Sequence, residues 1–112
     1  MAVYVSNIVI NSGTTFSETF TLESATTNSA FDLTGYSVTS QMRKWRGSAT
    51  ATAFTTAIPS PATQGKILLS LTPTETATLT PGRHVYDVVI TLNETKELVV
   101  EGSVLIREGV TR

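Results

Sequence analysis

The chain contains no cysteine. That excludes disulfide staples, thiolate metal sites and cysteine nucleophiles together, and removes the inter-sheet bridge of antibody-type domains. A sandwich built from this sequence must hold by packing alone, and the absence fits folding in a reducing cytoplasm. Histidine is almost as scarce. With His84 alone, a metal site needing two imidazoles cannot form within one chain. Charge is also sparse, with 15% charged residues, a net charge of −1 and a pI of about 5.7. The basic excess that a phosphate backbone demands is missing, so no nucleic-acid partner is expected. No apolar run approaches the roughly 20 residues that span a bilayer, which argues against a membrane partner. The opening MAVYVSNIVINSG lacks both the basic and the continuous apolar regions of a signal peptide. A soluble chain made in the cytoplasm is the expectation.

What is present points to strands. At 112 residues there is room for one domain and one core, residues 1–112. The 40% hydrophobic content at low net charge favours burial over disorder. Threonine occurs 21 times, and its β-branched side chain suits a pleated, half-exposed surface.

Alternation with period two runs through the chain, as expected of strands with one face on a core. Val3 and Val5, then Ile8 and Ile10, suggest a first strand whose phase shifts near Ser6-Asn7, by a bulge or a switch of sheet. After the Asn11-Ser12-Gly13 turn, Phe16, Phe20 and Leu22 share a face with Glu18, which places that carboxylate near an edge or an end. Ser24 to Ala30 reads as a polar loop. Phe31-Asp32-Leu33-Thr34-Gly35 reads as a compact turn whose apolar side chains plug one end of a sandwich. Tyr36, Val38 and Met42 mark a third strand, ended by Arg46-Gly47-Ser48. Ala49 to Ile58 makes a weaker edge strand, stopped by Pro59 and Pro61.

Ile67, Leu69 and Leu71 form the next strand. Thr72-Pro73-Thr74-Glu75 then offers a threonine N-cap, a proline at the first helical position and a glutamate completing a capping box. Pro81-Gly82 limits the helix to about a turn. Arg83 to Leu92 is the strongest strand, with Tyr86, Val88, Ile90 and Leu92 in register. A polar hairpin at Asn93-Glu94-Thr95-Lys96 leads into the last strand, through Leu98, Val100, Gly102, Val104 and Ile106. The expectation is an all-β, immunoglobulin-like antiparallel β-sandwich of about seven strands, with one short helical turn near residues 73–78. A small β-barrel is the competing architecture.

Little in the sequence suggests catalysis. His84 and Asp87 are three apart on a strand and point to opposite faces, so they cannot form a dyad; His84 reads as a cap on the core. Glu94, Glu97 and Glu101 read as a solvated strand region, Glu97 and Glu101 sharing a face, because calcium needs converging oxygen-rich loops. The glycines lie scattered through turns, with no phosphate-binding loop. No catalytic residue, metal or cofactor is expected.

Arg43-Lys44-Trp45-Arg46 is the most suggestive cluster. Strand alternation would put Arg43 and Trp45 on one face and split a nucleic-acid footprint in two. Trp45 reads instead as an anchor packed at the sandwich end or as an interface residue, where tryptophan is enriched. The candidate interface residues are Trp45, Arg43, Arg46 and Tyr4.

Three segments carry a resemblance. Phe31 to Val38, leading to Gln41-Met42-Arg43-Lys44, is the first; Leu71 to Ala77 with Leu79 to Val88 is the second; Glu101 to Val104, running on to Val110-Thr111-Arg112, is the third. In this order they resemble small tailed-phage virion domains, such as the N-terminal domains of phage baseplate upper proteins. The resemblance reaches from about residue 31 to the end. Family members often carry tyrosine where His84 stands, so a tyrosine-corner hydrogen bond does not transfer. The resemblance implies a virion structural protein — adaptor, decoration or baseplate component — whose partners are other virion proteins and further copies of itself. A carbohydrate- or receptor-binding module on the virion is the alternative, with Trp45, Tyr36 and Tyr4 as aromatic platforms.

Overall fold

A computed structural model describes residues 4–23 and 29–109. Val3 of the first expected strand, residues 24–28 of the polar loop and the Val110-Thr111-Arg112 end of the resemblance lie outside the described residues. Nine strand segments are present among those described: β1 (Tyr4–Val5), β2 (Ile8–Asn11), β3 (Phe16–Thr21), β4 (Ser37–Arg43), β5 (Thr52–Ala53), β6 (Thr55–Ala57), β7 (Lys66–Leu71), β8 (Gly82–Leu92) and β9 (Thr95–Arg107). One sheet runs β1-β9-β8-β4-β5, with β2 also on β9; the other runs β3-β7-β6. The fold is the all-β sandwich that the alternation implies.

Seven expected strands become nine because two of them are interrupted. The Ala49–Ile58 strand is an edge of both sheets at once. β5 pairs with β4, β6 pairs with β7, and buried Phe54 marks the crossing, its N–H donating to the Ser40 carbonyl at 3.0 Å. The first strand is broken at Ser6-Asn7, but by neither a bulge nor a sheet switch. Tyr4 faces Val100 and Ile8 faces Val104, so both segments keep one register on the same strand.

That edge also corrects the purely antiparallel expectation. β1 and β2 run parallel to β9, which makes the larger sheet mixed. A period-two pattern is the same read in either direction; it specifies which side chains face inward but not which way the strand runs.

The core lies between the sheets. Ile8, Ile10, Phe16, Leu22, Met42, Ile67, Leu69, Leu71, Tyr86, Val88, Ile90, Val100, Val104 and Ile106 are all buried in it. Each such aliphatic side chain contributes about 1.5–3 kcal/mol relative to an exposed one. Leu33 plugs one end, held where its N–H meets the Ala62 carbonyl at 3.0 Å. Asp32 Oδ1 accepts from the Thr34 N–H at 2.9 Å and the Thr34 hydroxyl at 2.6 Å, and these bonds hold its carboxyl below the usual carboxylate range.

The helical turn α1 (Pro73–Ala77) has both halves of its capping box. The Glu75 N–H reaches Thr72 Oγ1 at 3.2 Å, and the Thr72 N–H reaches Glu75 Oε1 at 2.9 Å. The hairpin between β8 and β9 closes in two residues, Asn93 and Glu94, both at positive φ (49° and 69°) as a primed turn requires.

Between Val88 and Val89 the β8–β9 register shifts: Val88 faces Val100, while Val89 faces Leu98. Val99 is the extra residue, and both it and Val100 are buried. A one-residue bulge reverses the alternation beyond it. Leu98 therefore lies on the face of Val89 rather than on that of Val100, and Glu97 lies opposite Ile90 while Glu101 lies opposite Asp87. Glu97 and Glu101 do not share a face.

Candidate functional site

β4 delivers Arg43 to the outer face of the larger sheet, opposite Val85 of β8. The strand ends there, so alternation does not govern the next residues. The chain turns instead, and the Ser48 N–H closes the turn on the Trp45 carbonyl at 3.0 Å. Arg43 is the brace of this turn. Its guanidinium donates to the Ser48 carbonyl at 2.5 Å and to Gln41 Oε1 at 3.2 Å.

Trp45 sits at the tip and is 61% exposed. It is not part of the core or of the side chains packed against it, so it is no buried plug of the sandwich. A side chain at Gly47 would begin within 3.7 Å of the indole, so the ring lies against the turn's own backbone. A largely exposed tryptophan on a braced turn is a large apolar surface facing water among the described residues.

Arg46 points back over the sheet. Its guanidinium donates to Glu101 Oε1 of β9 at 2.7 Å, reaching across β8 to do so. Glu101 faces Asp87, and Asp87 faces Gln41, so one cross-strand row runs Gln41-Asp87-Glu101-Val5 over β4, β8, β9 and β1. Arg43 and Arg46 share a shallow cleft of about 250 Å³ with Gln41, Val85, Tyr86 and Asp87. Its lining carries both charge signs, with Val85 as an apolar member.

Tyr4 is not part of this cluster. It lies on the far edge of the same sheet, 37% exposed, and its hydroxyl accepts the Glu23 N–H of the opposite side of the sandwich at 3.3 Å. Of the four candidates, Trp45, Arg43 and Arg46 come together and Tyr4 stands apart. The adjacency of Asp87 and Glu101 escapes sequence reasoning. Counting back from the hairpin pairs Asp87 with Val100, and only the bulge at Val99 moves Glu101 into place.

His84 is buried, and its Nε2 lies 2.8 Å from the Thr80 carbonyl, a structural partner on the loop before β8. Tyr36 is half-buried with its ring edge-on to Phe31, centroids 5.6 Å apart. No group of three or more histidine, aspartate or glutamate side chains among the described residues could hold a metal ion.

Neither a family model nor a curated protein sequence matches the chain. Among solved structures it is similar to Listeria monocytogenes InlP, at 15% identity and a TM-score of 0.48, over 91% of this chain and 26% of that one. It is also similar to a family 123 glycoside hydrolase from Clostridium perfringens, at 10% identity and a TM-score of 0.43, over 100% of this chain and 24% of that one. The chain thus spans about a quarter of each of these proteins.

Proposed function

We propose that this protein is a bacteriophage virion structural component, an adaptor, decoration or baseplate piece that works through protein–protein contacts and performs no catalysis. The observation that supports it most is the exposed Trp45 on its braced turn, beside the Arg46–Glu101 pair and the Arg43 cleft. A rigid aromatic anchor bordered by arginine and carboxylates has the composition of an interface centre. The resemblance of three ordered segments to tailed-phage virion domains supplies the setting. Mass spectrometry of purified particles tests the proposal. Stoichiometric presence in the particle is expected, and recovery only from infected cytoplasm would overturn it.

The exposure of Trp45 favours one second reading. A solvent-facing indole next to glutamine, arginine and carboxylate side chains is also a platform for a sugar ring, which would make the domain a host-surface carbohydrate binder. Tyr36 and Tyr4 do not add to that platform, since one packs on Phe31 and the other bonds Glu23. Quenching of tryptophan fluorescence by glycans, lost in Trp45→Ala, would support this alternative.

A further inference from the structure

Among the described residues no strand pairs with the outer side of β1–β2, and this edge is built unlike the other sheet edges. β5 and β6 are two and three residues long, too short to template another strand. β3 is longer but carries Glu18 on its inward-facing side, an inward-pointing charge that discourages pairing. From Tyr4 to Ser12 the chain has no charge, no proline and no glycine. The Ser6 N–H donates to Glu101 O at 2.9 Å and the Ser12 N–H to Arg107 O at 2.8 Å, so even-numbered residues bond toward β9. The odd-numbered ones, Val5 and Val9 among them, direct their backbone groups away from it.

Side chains match this opening. Val5 is 76% and Val9 51% exposed, and Val9 lies directly beside exposed Leu105 of β9. Open donors and acceptors on an uncharged, β-branched strand, with an apolar pair at its centre, call for another strand.

We infer that the occupant is a second copy of this chain, paired antiparallel through β2 about a two-fold axis at Val9, so that the larger sheets of two molecules become one. Because odd residues point outward, antiparallel pairing centred on Val9 lets it exchange both backbone hydrogen bonds with Val9 of the second copy. The same register sets Asn7 against Asn11 and Ile8 against Ile10. On the outer face Leu105 and Val9 of each copy then form one apolar strip, and on the inner face the isoleucines join the two cores. No charge on the strand opposes its own image, and the net charge of −1 adds little repulsion between copies. This deepens the proposed structural role and rests on its premise that the domain acts by protein contact.

Charge placed at the axis gives the test. Two lysines or two glutamates would face each other there, and like charges directly opposite destabilise a pair. Val9→Lys and Val9→Glu, each alone, should run as monomers of 12.0 kDa in sedimentation equilibrium, while the wild type runs at twice that mass. An equal mixture of the two variants should recover the dimer. Recovery also shows that both variants fold. In the wild type, the Val9 amide should exchange with deuterium at least about tenfold more slowly above the dimerisation concentration than below it. A wild type that stays monomeric, variants that still dimerise alone, or a mixture that stays monomeric would each overturn the inference. None of these results bears on whether the protein is found in particles, so the two ideas fail separately.

Discussion

The Tyr86 hydroxyl donates to the Ser6 carbonyl at 2.7 Å, joining the central strand β8 to the N-terminal edge across the intervening β9. Gly102 is the residue that lies between them, opposite Tyr86 in the ladder. A Cβ on Gly102 would sit 2.0 Å from the Ser6 oxygen, so that carbonyl occupies the space a side chain would need. With the carbonyl turned inward, the Ser103 N–H takes Asn7 Oδ1 at 3.0 Å instead of a backbone acceptor. This exchange explains why β1 and β2 are separate segments in one unbroken register. The break is a carbonyl turned toward a tyrosine, not a change of pairing.

Replacing Gly102 with alanine should therefore cost more than removing the hydroxyl it makes room for. Gly102→Ala forces the edge outward, an overpacking cost of about 1–3 kcal/mol, and breaks the Tyr86 bond as well. Tyr86→Phe loses one hydrogen bond, about 0.5–1.5 kcal/mol. The double variant should be less destabilised than the two single effects added, because both act on the same contact. Urea denaturation midpoints of the three variants check the order and the coupling.

The burial of the same phenol sets an alkaline limit. Desolvation pushes the Tyr86 phenol above its ordinary value of 10.0, with the nearby Glu18 carboxylate adding to the rise. A raised pKa means the folded state holds the proton more tightly than the unfolded chain. The stabilisation is fully present below pH 10.0 and is lost as pH climbs through the folded value. Thermal midpoints should fall above pH 10.0 in the wild type and more gently in Tyr86→Phe.

Thr76 offers a second test of a buried polar group. Although fully buried, its hydroxyl donates to Thr14 O at 2.8 Å and accepts the Gly13 N–H at 3.0 Å, which ties α1 to the turn after β2. Thr76→Val keeps the shape and strands those partners, at about 1–3 kcal/mol. Thr76→Ser keeps the hydroxyl and should retain most of the stability. Calorimetric scans of the two variants separate the bond from the packing.

Much of this fold is legible in the sequence because each strand has one wet and one dry face. β7 and β8 alternate along most of their length, and their boundaries follow from Gly65, Thr72 and Pro81-Gly82. The capping box is equally readable, since its four residues are consecutive and act locally. What is hidden depends on contacts far apart in sequence. The bulge at Val99 is set by how β9 fits β8, and two adjacent valines give no local hint of it. The parallel edge is invisible because alternation has no direction. For the candidate site, residue type identified Trp45 and Arg46, but their faces depended on where β4 stopped, which is at Arg43, before the turn that Arg43 bonds across to Ser48.

Trp45 separates stability from function most sharply. Its ring is largely exposed, so Trp45→Ala should change the unfolding free energy by no more than a surface substitution does, about 0.5 kcal/mol. Arg46→Ala breaks one exposed ion pair, which contributes about 0–1 kcal/mol and less as salt is raised. If this face is the contact used in the particle, both variants fold normally and yet fail to assemble. A tryptophan at an interface centre contributes about 2 kcal/mol or more, roughly a thirtyfold loss of affinity. Counting the variant protein per purified particle by mass spectrometry gives the readout. Arg43→Ala serves as the contrast, because it keeps the tryptophan but unbraces the turn that holds it, and should weaken assembly through the lost positioning. Trp45→Ala particles with a full complement would move the contact elsewhere on the sandwich.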